Sequence, residues 1–149
     1  MPLSKLKYLL FSANKKLEKK VINKINMNFL VIDGTQDKIV FFSNFNNNSY
    51  HKKIKANKNN NEKFSMELFK FFNESSIKPG KLNNIFVNQG PGRFSLIRTS
   101  IAAAKALSII NGSNLYGFNS KDVKNMNYNN IINLFNKGKL IKNLINPVY

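Results

Sequence analysis

The residues best placed to do chemistry are Gly90, Pro91 and Gly92, a turn that runs straight into an alanine-rich segment in "VNQGPGRFSLIRTSIAAAKAL". A helix starting there would point its unbonded backbone amides into the turn, and those amides together with the helix dipole attract an anion such as a phosphate. The same residues also make an ordinary strand-to-helix corner, and their spacing is neither that of a Walker loop nor that of a dinucleotide-binding fingerprint. Gly92 is expected to need a backbone geometry that glycine alone tolerates. Asp33 ends the apolar run "FLVID" and is the carboxylate best placed for a magnesium ion. Capping of the tight "DGT" turn, to which Asp37 also belongs, is the favoured role for it. His51 is the sole histidine, so a histidine-pair metal site is excluded, and it reads as an exposed strand residue. Ser95 has no histidine nearby in sequence to activate it and reads as a helix N-cap. Arg98, one turn into the helix, would face either an anion at the helix start or an acidic patch on another protein. This set makes neither a metal site nor a cofactor site.

The elements that must hold these residues follow from periodicity. "NFLVID" has the continuous apolar character of a strand covered on both faces, with Gly34 as its break. "KIVFFSNF" and "SYHKKIKA", joined by "FNNN", continue it as an antiparallel meander. Asn59 followed by Glu62 is a capping pair for a helix with Phe64, Leu68, Phe71 and Phe72 on one stripe. Met66 and Phe69 fall off that stripe and form a second apolar face, open to a partner. "NNIFVNQ" is a further strand. The helix after the turn carries Leu96, Ile97, Ile101, Ala104, Leu107 and Ile110, while Ala102, Ala103 and Ala106 permit close packing. "NGSNLYGF" ends that helix and starts a strand, and a last helix with an extended tail follows. The order is β-β-β-α-β-α-β-α, an α/β domain over residues 27–149 with a mixed sheet and flanking helices.

Residues 1–26 differ in character. Leu3, Leu6, Leu10, Ala13, Leu17, Val21 and Ile25 recur at helical spacing among lysines, which describes a basic amphipathic extension. Because the strand pattern begins at Met27, the extension is expected to be dispensable. The chain has no cysteine, which removes disulfides and thiolate metal sites and fits a cytoplasmic location. No apolar run is long enough to span a bilayer. The net charge of +17 suggests a polyanionic partner, yet Arg93 and Arg98 are the only arginines and asparagine is abundant. Compositional drift therefore explains the charge better than a dedicated nucleic-acid groove.

"FLVIDGT", "KIVFF", "IFVNQGPGRFSLIRTSIAAAKALSI" and "LYGFNS", spread over residues 27–120, resemble the TsaB (YeaZ) family, and the closing "NPVY" is similar to its C-terminal Pro-Val-Tyr. The family's hallmarks are a first strand ending in Ile-Asp-Thr and a Gly-Pro-Gly-Ser-Phe-Thr-Gly-Leu-Arg segment before an alanine-rich helix. Asp33, Gly90, Pro91, Gly92, Phe94, Arg98, Ala104 and Lys105 carry over. The resemblance implies an actin-like, ribonuclease-H-like single lobe, the second lobe of the family being missing. It further implies a non-catalytic subunit of the tRNA threonylcarbamoyladenosine machinery, without cofactor. Its partners would be the catalytic TsaD in a heterodimer, and TsaE, with a homodimer as an alternative and tRNA reached indirectly. Met66, Phe69, Arg98, Ala102, Ala103 and Ala106 are then the partner-binding candidates. Asp33, Gly90, Pro91, Gly92 and Ser95 are the remnant of an anion or nucleotide site. Arg93, Leu96, Ile97 and Gly34 depart from the family pattern and weaken nucleotide binding. The competing readings are a small nucleotide-binding enzyme that uses Asp33 for magnesium and the Gly-Pro-Gly loop for phosphate, and a protein that contacts tRNA directly through its lysines.

Overall fold

The computed structural model describes residues 3–10, 12, 27–57, 60–125 and 127–149. Residues 3–10 are helical and exposed throughout. The predicted positions Ala13, Leu17, Val21 and Ile25 of the extension, and the Asn59 cap, lie outside the described residues.

From Met27 onward the chain forms β1 (Phe29–Asp33), β2 (Lys38–Phe45), β3 (Asn48–Lys55), α1 (Asn60–Glu74), β4 (Asn84–Asn88), α2 (Phe94–Asn111), β5 (Asn114–Phe118), α3 (Asn129–Asn136) and β6 (Ile141–Lys142). Short 3-10 turns occupy Pro79–Lys81 and Ser120–Asp122. The β2–β3 hairpin turns on Asn46 and Asn47, both at positive φ (50° and 65°), the conformation a two-residue hairpin needs and asparagine tolerates. α2 stops at Gly112, whose φ of 69° closes the helix with a left-handed residue.

The six strands form one mixed sheet in the order β3-β2-β1-β4-β5-β6, with β1, β4 and β5 parallel and β2, β3 and β6 antiparallel to their neighbours. Every residue of β1 and β4 is buried because both sheet faces are covered. Leu30, Ile32, Ile85 and Val87 join α1 and α2 in one cluster. Phe29, Val31 and Phe86 pack with Tyr128 and Ile131 at α3 on the opposite face.

Two differences from the sequence reading lie in the packing. The stripe predicts a core position for Ile110, which is 79% exposed; Leu107 is the last buried residue of α2, and the helix closes at Gly112 within its next turns. The tail, expected to be merely extended, pairs as β6 with β5, buries Ile145 in the core and bonds the Val148 amide to the Gln89 carbonyl (2.7 Å).

Candidate functional site

The C-terminal ends of the parallel strands β1, β4 and β5 meet at one edge of the sheet, the place where open α/β folds gather polar groups. β1 ends in Asp33, which is 1% exposed. Its Oδ1 accepts from the Thr35 amide (3.1 Å) and the Thr35 hydroxyl (2.7 Å), and its Oδ2 accepts from the Tyr128 hydroxyl (3.0 Å). Gly34 between them lets α2 come close, since a Cβ there would meet Ser100 Oγ and lie 3.1 Å from the Leu96 carbonyl. The Asp-Thr pairing therefore survives the extra residue. Burial, the charge of Asp33 and the hydrogen bond to it, in that order, push the Tyr128 hydroxyl far above the ordinary tyrosine range. It stays a donor at any ordinary pH.

β4 ends in Asn88, also buried. Its amide nitrogen donates to Thr35 Oγ1 (3.2 Å), while its Oδ1 accepts from the Gly90 amide (2.9 Å) and the Ser120 hydroxyl (3.3 Å). Ser120 donates more closely to the Pro91 carbonyl (2.8 Å). Sequence reasoning missed Asn88 and Tyr128. The signal for Asn88 was available, a polar residue ending an apolar strand as Asp33 does, whereas Tyr128 lies 95 residues from its partner.

At the Gly-Pro-Gly corner Gly90 is buried, while Pro91 and Gly92 are exposed. The Gly90 amide is taken by Asn88, and Pro91 has no amide to offer. The Arg93 amide donates to the Thr35 carbonyl (3.2 Å). Arg93, and not Ser95, is the N-cap of α2, and it has no side-chain capping bond; Ser95 lies one residue inside the helix. Gly90 is the residue at positive φ (115°), with the C-terminal segment directly against it. Gly92 is not at positive φ. Its constraint is contact, since a Cβ there would lie 2.7 Å from the Thr35 Cα. The tail reaches the helix start, where the Tyr149 ring stacks on the exposed Phe94 (4.7 Å) and the Arg98 guanidinium sits 5.4 Å from the same Phe94 ring. His51 is exposed on β3, as expected. Among the described residues no three acidic, histidine or cysteine side chains gather closely enough to hold a metal ion.

The second candidate surface lies on α1 and α2, which pack on the same sheet face and touch where the Thr99 hydroxyl meets Asn61 (3.0 Å). Met66 is 46% and Phe69 58% exposed on α1. Along α2 the exposed row Phe94, Arg98, Ala102 and Ala106 leads to the exposed Ile109 and Ile110. Ala103 instead packs half-buried against the core, so it has little surface left for a partner.

No protein-family model matches the sequence, and neither does any curated protein. Solved structures do match. YeaZ from Pseudomonas aeruginosa superposes with a TM-score of 0.58 at 12% identity, over 62% of this chain and 44% of that one. A second structure, described as an uncharacterized protein with similarity to peptidase YEAZ from Pseudomonas aeruginosa, gives a TM-score of 0.59 at 12% identity, over 62% and 43%. The fold is therefore YeaZ-like, of the ribonuclease-H-like kind, and the chain spans less than half the length of these neighbours.

Proposed function

We propose that this chain is a non-catalytic subunit that binds and supports a catalytic paralogue of the TsaD type in the tRNA threonylcarbamoyladenosine machinery. The observation that carries the reading is the apolar face of α1, where Met66 and Phe69 stand in solvent beside the row Phe94, Arg98, Ala102 and Ala106 on α2. Exposed large apolar side chains on packed helices are what a helical partner buries, and an exposed phenylalanine is the kind of anchor on which such interfaces depend. The likeness of the fold to YeaZ supports the choice of partner. The burial of Asp33 and the engagement of both its oxygens by protein donors support the non-catalytic part, since three hydrogen bonds already hold it in place. TsaE would join the same assembly, tRNA would be reached through it, and the setting would be the cytoplasm.

Co-expression with TsaD tests the reading. Phe69→Asp is expected to abolish co-purification while leaving circular dichroism unchanged, because the side chain is largely in solvent. If Met66→Asp/Phe69→Asp leaves binding intact, the docking face is elsewhere. A shift of the wild-type chain alone to a dimer, reversed by the same substitutions, would favour a homodimer instead. Calorimetric titration with ATP and magnesium is expected to give no saturable heat. Tight magnesium-dependent binding that is lost in Asp33→Ala would replace this reading with the enzymatic one.

A further inference from the structure

β3 separates its lysines by parity. Lys52 faces the helices and pairs with Glu74 (3.1 Å) and Glu67 (3.5 Å) of α1, alongside Tyr50 and Ile54, which pack on that core. His51 and Lys53 project to the other face, where β2 places Phe42 opposite His51 and Val40 opposite Lys53. A hollow of about 300 Å³ opens there, floored by Val40, Phe42 and Tyr128 and walled by His51, Lys53 and Asn127. A second hollow, of about 330 Å³, is lined by Lys121, Asp122, Lys124 and Asn130 and shares Asn127 with the first. The two make one groove between the β2–β3 hairpin and the start of α3.

Acidic residues are nearly absent from this groove. Of the seven in the sequence, Glu62, Glu67 and Glu74 lie on α1, Asp37 at the β1–β2 turn, Asp33 buried behind Tyr128 and bonded to its hydroxyl (3.0 Å), and Glu18 outside the described residues. Asp122 lines the groove and accepts from the Asn119 amide (2.9 Å) while keeping its charge, so the groove sets three lysines against one carboxylate. The rest of the lining is a histidine, asparagine side chains and the half-buried Phe42, whose ring stacks on Tyr128 (5.7 Å) and keeps only part of its surface open to the groove.

We propose that this groove binds single-stranded nucleic acid. Lys53, Lys121 and Lys124 meet backbone phosphates, and an unstacked base lies against Phe42 beside His51. The Asn127 side-chain nitrogen faces base edges, its Oδ1 being held by the Asn129 amide (3.1 Å), while Asn130 is fixed by its own donation to the Asp122 carbonyl (2.9 Å). A duplex keeps its bases stacked and cannot reach the phenylalanine floor, which selects the single strand. Both arginines sit at the start of α2, outside this groove, so recognition is tolerant of sequence. The site is independent of the α1–α2 face, which lies across the sheet.

Fluorescence anisotropy of the full chain with short labelled single-stranded RNA and DNA, over a salt series, tests it. The wild type is expected to bind with a log–log salt slope of roughly −2, from about 0.7 per phosphate contacted. Lys53→Gln/Lys124→Gln should weaken binding by roughly tenfold and flatten the slope by about 1.4. Lys63→Gln/Lys81→Gln removes the same charge elsewhere and should change affinity less than about threefold. Phe42→Leu should lower affinity roughly fivefold with the slope unchanged, as loss of stacking does. Equal losses in the two lysine pairs, equal affinity for a duplex, or no binding at physiological salt would overturn the proposal. So would anionic vesicles that saturate the chain where single strands do not.

Discussion

Gly92→Val is expected to destabilise the domain by about 3 kcal/mol or more, lowering Tm by roughly 10 °C. The reason is not backbone conformation. A Cβ at residue 92 would lie 2.6 Å from the Thr35 Cβ and 2.7 Å from its Cα, and still closer to its carbonyl oxygen. Thr35 cannot move aside cheaply. Its amide and hydroxyl are held by Asp33, its hydroxyl also by Asn88, and its carbonyl by the Arg93 amide. The strain therefore spreads to both polar strand ends. Gly92→Ala should already show much of the loss, since the first carbon makes the clash. Gly80→Ala is the control, with nothing within 4 Å of its added Cβ, and should stay within about 0.5 kcal/mol of wild type. Thermal and urea melts of the three variants decide it, and a wild-type-like Gly92→Ala would show that the corner is looser than its packing implies.

Tyr128→Phe is expected to cost about 2 kcal/mol, because it leaves Oδ2 of a carboxylate that is 1% exposed without its donor. Asp33→Ala should cost somewhat more, since Thr35 and Tyr128 both lose an acceptor. The double variant should cost less than the sum by about 1 kcal/mol or more, the mark of groups in direct contact. The pH dependence has a definite sign. The folded chain holds the Tyr128 proton above the ordinary range, whereas the unfolded chain releases it near a pH of about 10. Above that pH the unfolded state binds fewer protons, so stability falls as pH rises, and it is fully present below. Tyr128→Phe should flatten this alkaline loss relative to wild type. An identical alkaline slope in the two proteins would mean that Tyr128 ionises freely and does not seal Asp33.

Local chemistry made the order of elements legible from β1 to α3. Alternation and continuous apolar runs identify strands, the asparagine pair identifies the hairpin, and the Phe64, Leu68, Phe71 and Phe72 spacing identifies the buried stripe of α1. The exposure of Met66 and Phe69 follows from the same arithmetic, since residues off a helical stripe point away from the core. β6 was not legible, because two exposed residues in a polar tail carry no pattern until β5 offers an edge for them to pair with.

The candidate site divides in the same way. The amino-acid order alone placed a carboxylate at the end of β1, a glycine corner after β4 and an excess of lysine over the whole chain. Folding decided what each of these became. Tyr128 closes over Asp33 from 95 residues away, the C-terminal segment backs Gly90, and the Thr35 backbone is what makes Gly92 obligatory. Strand pairing sends Lys52 to glutamates on one face and Lys53 to an acid-poor groove on the other. Periodicity is a property of neighbours in sequence and can be read from them. Hydrogen bonding, steric contact and the local balance of charge depend on which distant residues the sheet brings together, and that register exists only in the folded chain.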